Sequence, residues 1–186
     1  MVNYDEATKK IAQEITATLT NIEGNDVEEL IEEINKAEKV FFVGVGRVLL
    51  SLQAIAKRLA HLGVDTYVVG QITEPAITDK DLLIVGSGSG ETQFPLIIAN
   101  KAKQYNAKVA HIGANPDSSM SQYSDLFIRI PIGSKDQNSE DVQSEQPMKS
   151  LFEQSLLLLG DTIALMMVEK KDIEIQSLWQ YHANLE

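Results

Sequence analysis

The chain has 186 residues, 44% hydrophobic and 23% charged, enough for a sizeable buried core of ordinary globular composition. Its formal net charge of -11 argues against non-specific binding to nucleic acid or to an anionic membrane surface. It has no cysteine, so disulfides, thiol nucleophiles and thiolate metal sites are excluded. The first residues, Met1-Val2-Asn3-Tyr4-Asp5-Glu6, are acidic and lack the apolar centre of a signal peptide, so a soluble, cytoplasmic protein is expected. Residues 3 to 20 carry Ile11, Ile15 and Leu19 at helical spacing. Asn25 or Asp26 is placed to cap a second helix running to about Ala37, with Leu30, Ile31 and Ile34 inward.

Five strand-length apolar runs follow: Val40 to Val43, Thr66 to Val69, Leu82 to Val85, Val109 to Ile112 and Leu126 to Ile130. Helical patterns lie between several of them, notably Leu49 to Leu62 and Pro95 to Gln104. Apolar strands alternating with helices predict an α/β fold, a five-stranded parallel sheet between two helical layers. Ligands in such sheets bind beyond the strand C-termini. Residues 131 to 147, with Ser134, Lys135, Asp136, Gln137, Asn138 and Ser139, read as a long polar surface loop. A helix from about Met148 to Lys170 and a short polar tail complete the pattern. Within that helix Gly160 and Asp161 interrupt the apolar run, so no stretch is expected to span a bilayer. The boundaries expected of this single domain are N-terminal helices 3–37, sheet core 39–130, polar loop 131–147, and long helix with tail 148–186.

The segment Gly86-Ser87-Gly88-Ser89-Gly90-Glu91-Thr92 stands between the third strand and a helix. Strand, glycine-hydroxyl loop and helix N-terminus in that order suit a phosphate monoester. Glycines allow close approach of the backbone, successive N–H groups form an anion nest, and the helix end adds unpaired donors and partial positive charge. Ser87, Ser89 and Thr92 add hydroxyl donors. Capping of the next helix needs one hydroxyl and explains neither three nor the glycines. A second glycine loop, Gly44-Val45-Gly46-Arg47-Val48-Leu49, follows the first strand. It fails as a dinucleotide fingerprint, because Leu49 occupies the third small position and no acidic residue ends the second strand. Arg47 there suits phosphate or hydroxyl oxygens better. No Walker motif is present, and His61, His111 and His182 lack metal-ligand spacing, so neither cofactor nor metal is expected. By pattern alone His61 and His111 read as structural. Glu153, one turn into the last long helix, reads as a solvent-exposed dipole partner.

The chain resembles the sugar isomerase (SIS) family, and within it the 6-phospho-3-hexuloisomerases. The resemblance rests on Gly44-Val45-Gly46-Arg47, Arg58-Leu59-Ala60-His61-Leu62-Gly63, the Gly86 to Thr92 loop, Gln146-Pro147-Met148-Lys149-Ser150-Leu151-Phe152-Glu153 and His182-Ala183-Asn184-Leu185-Glu186. It implies a flavodoxin-like three-layer α/β/α sandwich and a homotetramer with sites shared between subunits. It further implies interconversion of D-arabino-3-hexulose 6-phosphate and fructose 6-phosphate, downstream of a formaldehyde-fixing aldolase in the ribulose monophosphate pathway. Carried across, Gly46, Arg47, Ser87, Gly88, Ser89, Glu91 and Thr92 would hold the sugar phosphate, with His61 also approaching it. Glu153 would be the base, and His182 would reach a neighbouring subunit's site. The partner implied is a small sugar phosphate, with no nucleic acid and no membrane. SIS domains also serve as non-catalytic phosphosugar sensors, and isomerisation of another sugar phosphate is the remaining alternative. Two positions depart from the family pattern. Val48 stands where the family carries a phosphate-binding serine, a loss of about 1.5–3 kcal/mol for one charged hydrogen bond. Lys149 replaces a glycine, and either crowds the site or adds charge toward the phosphate.

Overall fold

The computed structural model describes residues 3–133 and 141–185. Helix α1, Tyr4–Thr20, opens on a reciprocal cap: the Asn3 side chain accepts from the Glu6 N–H at 3.0 Å, and the Glu6 carboxylate accepts from the Asn3 N–H at 3.2 Å. Helix α2, Gly24–Lys36, begins one residue earlier than its expected cap. Extended Glu23 precedes it without a side-chain cap, and Asn25 and Asp26 fall inside the first turn, where the Asp26 carboxylate complements the helix dipole. Val27, Leu30, Ile31 and Ile34 form its buried stripe.

The sheet comprises β1 (Val40–Val43), β2 (Thr66–Val68), β3 (Leu82–Gly86), β4 (Lys108–Gly113) and β5 (Leu126–Arg129). All pair in parallel, in the order β2-β1-β3-β4-β5. Helix α3 (Gly46–Ala60) joins β1 to β2, α4 (Gln93–Gln104) joins β3 to β4, and α5 (Ser150–Lys170) follows the sheet. Side chains alternate across the strands, and two cores result. Phe42, Ile84, Ala110 and Ile128 pack with residues of α2, α3 and α5. Phe41, Val43, Leu83, Val85 and Val109 pack with Ala99 and Ala102 of α4 and with Met120. The three layers are therefore unequal, with α4 and one 3-10 turn, Ser119–Gln122, on the thinner side.

Three features differ from the sequence reading. Part of the polar loop is ordered into a short parallel pair, β6 (Ile132–Gly133) with β7 (Val142–Gln143). Arg129 beside it binds both carboxylate oxygens of Asp141, at 2.8 and 2.7 Å. Ser134, Lys135, Asp136, Gln137, Asn138 and Ser139 lie outside the described residues. Next, the stretch Pro147–Lys170 is long and apolar enough to cross a membrane by length and composition, and Gly160 does not interrupt it. That apolarity belongs to the core: Leu156, Leu159, Ile163 and Met167 are buried among α2, α3 and the sheet. At Gly160 α3 comes close, since a Cβ there would stand 2.2 Å from Ile55 Cγ1. Finally, the tail is not simply polar, because a 3-10 turn, Ile175–Tyr181, exposes Ile175 and Trp179.

Candidate active site

The chain leaves β1 toward β2 and leaves the adjacent β3 toward β4, so connections diverge between these two strands. Open α/β sheets bind ligands at this switch point. The N-termini of α3 and α4 both emerge there, and neither is capped by a side chain. Val45 cannot cap, and Thr92 sits at the N-cap of α4 without using its hydroxyl on the helix. Two sets of helix-end N–H groups therefore face one crevice, a favourable field for an anion.

The Gly86 to Thr92 loop is tightly folded. Gly90 has φ +69, and its missing side chain leaves room for Ser118, whose Oγ would stand 2.1 Å from an added Cβ. Its N–H reaches both the Ser87 carbonyl and Ser87 Oγ at 3.2 Å. Ser87 Oγ lies 3.2 Å from Thr92 Oγ1, and Ser89 Oγ accepts from the Glu91 N–H at 3.2 Å. The Glu91 carboxylate accepts from the Ser119 N–H at 2.7 Å, a bond that holds its pKa below the usual carboxylate range. Glu91 thus fastens the loop to the turn beyond β4. His111 does the same from the strand: its Nε2 donates to the Ser87 carbonyl at 2.9 Å, while burial holds its pKa below the ordinary imidazole value. By pattern His111 reads as structural. Its second role depends on strand register, which sets His111 beside Val85, two residues before Ser87.

Glu153 is buried, with its side chain 10% exposed, which overturns the reading of it as a surface residue. The cause is the packing of α5 on α3. Arg47 Nε donates to Glu153 Oε1 at 2.5 Å, and Ser51 Oγ donates to the Glu153 carbonyl at 2.8 Å. Arg47 follows Gly46, which starts α3 at φ +57. Arg47, expected as a phosphate ligand, spends one donor on the carboxylate, with its side chain 68% exposed. The segment before α5 is held by α1: Glu14 accepts from Ser144 Oγ at 2.7 Å, from the Glu145 N–H at 3.1 Å and from Gln146 Nε2 at 2.9 Å. The neighbouring Phe152 ring lies 3.4 Å from where a Gly88 Cβ would stand, so the first turn of α5 abuts the phosphate loop.

A cleft of about 890 Å³ opens between these parts, bounded by Gly88, Ser89 and Glu91 on one side and by Val48, Phe152 and Glu153 on another. Its size suits a small organic ligand. His61 and His182 are elsewhere. Their rings stack 5.4 Å apart, and Trp179 lies 5.1 Å from His182. His61 follows the last residue of α3, ten residues or about 15 Å beyond Ser51, whose hydroxyl meets the Glu153 carbonyl. One chain therefore does not bring these histidines to Glu153. Burial, with Lys57 and Arg58 nearby, lowers the His61 pKa. No group of three or more metal-ligating side chains occurs among the described residues.

A loop rich in glycines and hydroxyls at the switch point of a parallel sheet bounds one cleft with a buried carboxylate, an arrangement suited to a phosphate ester. The chain belongs to the SIS-domain family, whose model matches residues 33–159. It is 38% identical over 181 residues to the 3-hexulose-6-phosphate isomerase of Bacillus subtilis, covering 97% of this chain and 98% of that protein. It is 35% identical to the enzyme of the same name from Mycobacterium gastri, covering 95% and 88%. Among solved structures it is similar to a hypothetical protein of Methanococcus jannaschii for which a function of 3-hexulose-6-phosphate isomerase was inferred. That match has a TM-score of 0.84 at 30% identity and covers 97% of this chain and 99% of that one.

Proposed function

We propose that this protein is a 6-phospho-3-hexuloisomerase, interconverting D-arabino-3-hexulose 6-phosphate and D-fructose 6-phosphate. The observation that carries the reading is Glu153, a buried carboxylate bounding the same cleft as the Gly88-Ser89 anion loop. The names of its near full-length relatives support the substrate. Phosphate held on Ser87 to Thr92 fixes the sugar chain so that C2 and C3 lie over Glu153, turning proton transfer into an intramolecular step. Glu153 removes the C2 proton and the C3 carbonyl becomes an enediolate. A proton passes from the C2 hydroxyl to the oxygen on C3, a transfer assigned to His182 of a second copy, and the same carboxylate returns its proton to C3 as the C2 carbonyl forms. The electron pair stays within the substrate, so the step needs no cofactor or metal. Arg47 holds the carboxylate in place with Nε and has further N–H donors for the developing enediolate oxygen. Glu153→Gln should reduce turnover by about 10²–10⁴-fold while fructose 6-phosphate still binds, as read by steady-state kinetics and calorimetry. Near-normal turnover would sink the assignment.

His182 and His61 lie outside the cleft that Glu153 lines, toward the far end of α3, which supports a site completed by the histidines of a second copy. The homotetramer belongs to this proposal, supported by the exposed apolar residues Ile175 and Trp179 beside them. A phosphate dianion does not cross a bilayer unaided, which supports a cytoplasmic enzyme working where its substrate is made. A binding-only phosphosugar sensor is favoured by one observation: Val48, an aliphatic residue, lines the cleft beside the loop. Binding of fructose 6-phosphate without isomerisation of either hexulose phosphate would decide for it, and a panel of pentose and heptose phosphates tests another substrate.

A further inference from the structure

Two cations line the cleft among the described residues, Arg129 and Lys149. Arg129 is held by Asp141. Arg47, nearby on α3, is held by Glu153. Lys149 makes no ion pair with any described carboxylate, although Glu153 is one helical turn away. Its local setting is unfavourable on two counts. The backbone is left-handed, with φ 61 and ψ 33, directly after Met148 at φ 55, a conformation that strains a residue carrying a Cβ. It is also the N-cap of α5, where the helix dipole opposes positive charge, and its side chain makes no capping bond. A serine, asparagine or glycine would suit the position better. An anion in the cleft reverses the electrostatic part of this balance.

We propose that Lys149 is a phosphate-binding residue, its ammonium supplying the positive charge that the neutral hydroxyls and N–H groups of the Ser87 to Thr92 loop lack. The inference rests on the cleft being a sugar-phosphate site. Ser89 and Lys149 line the same cleft, and contact between Phe152 and Gly88 holds the lysine's helix against the loop. The lysine's flexible four-carbon stem lets the ammonium follow the ligand. In a chain of net charge -11, a dianionic ligand needs such a local cation. Lys149 thereby sets a preference for phosphorylated sugars over free ones.

Calorimetric titration of the full chain with inorganic phosphate and with fructose 6-phosphate tests this on Lys149→Gly and Lys149→Gln. Both variants should bind both ligands at least tenfold more weakly at low salt, with the deficit shrinking as salt is raised. Lys149→Gly should also raise the ligand-free Tm, because glycine adopts the left-handed backbone without strain. In turnover, KM should rise in step with the loss of affinity while kcat stays within about threefold, the mark of binding felt equally in ground and transition states. Unchanged affinity for both ligands in both variants overturns the inference. If the unaltered chain binds fructose 6-phosphate but isomerises nothing, the isomerase reading falls and Lys149 is judged on binding alone. If it binds neither ligand, both fall.

Discussion

His111 is 1% exposed, and its ring fastens the Ser87 carbonyl of the Gly86 to Thr92 loop. Burial favours the neutral imidazole, so its folded pKa lies below the ordinary 6.5. Between that lowered value and 6.5 the unfolded chain binds more protons than the folded one, so stability rises with pH across this window. The contribution is complete above pH 6.5 and is lost as pH falls through the folded value. His61, also lowered by burial, acts with the same sign. The Tm should therefore fall between pH 7.5 and pH 5.5, and His111→Phe should flatten that slope without abolishing it. At pH 7.5 the variant should be less stable by about 0.5–1.5 kcal/mol, because the Ser87 carbonyl loses one of its two donors and keeps the Gly90 N–H. Chemical denaturation at the two pH values measures both effects. Glu153 carries the complementary lesson about residues. Its position in a first helical turn gives a reader of the chain no reason to bury it, since the burial comes from Arg47 and Ser51 on another helix.

Between elements, the contact that positions Glu153, the proposed base, is α3 against α5, which approach closely at Gly160. A methyl group there would meet Ile55 Cγ1 at 2.2 Å and Cδ1 at 2.7 Å, and Ile55 is itself 4% exposed and branched at Cβ. Overpacking of this kind costs about 1–3 kcal/mol, against about 1 kcal/mol gained in helix propensity. Gly160→Ala should thus destabilise the protein by up to about 2 kcal/mol, read by urea denaturation. Turnover should drop as well, because displacing α5 moves Glu153 away from Arg47. The elements themselves were largely legible. The strands are largely apolar runs because both faces of the sheet are covered, and every predicted strand lies within two residues of its observed limits. Helix starts were harder to read. The apolar pattern of α3 begins at Leu49, but the helix begins at Gly46, where the chain turns upward from β1 without a capping side chain. The clasp of Glu14 on residues 144–146 left no local signal, since it joins an exposed helix face to a polar segment.

At the scale of the molecule, one chain holds the phosphate loop with Glu153 at one end of α3, and His61 with His182 at the other. If copies complete each other's sites, mixing Glu153→Gln chains with His182→Ala chains should restore part of the lost activity, because some sites then receive both intact groups. Assays on co-refolded mixtures of known composition measure this, and failure in well-mixed oligomers argues against His182 acting in trans. The Gly86 to Thr92 loop was legible as a candidate anion site because its glycines and hydroxyls are contiguous. The remainder of the site was not, for the bonds that set Glu153 span 106 and 102 residues, and the Glu14 clasp spans 130. That separation has a kinetic side. Long loops close at an entropic cost that grows with their length, and contacts so distant form slowly. During refolding the anion loop can take shape with its own strand and helix. The proton-transfer half exists only once the two ends of the chain have met, so a molecule with its sheet complete can already hold phosphate and still turn nothing over.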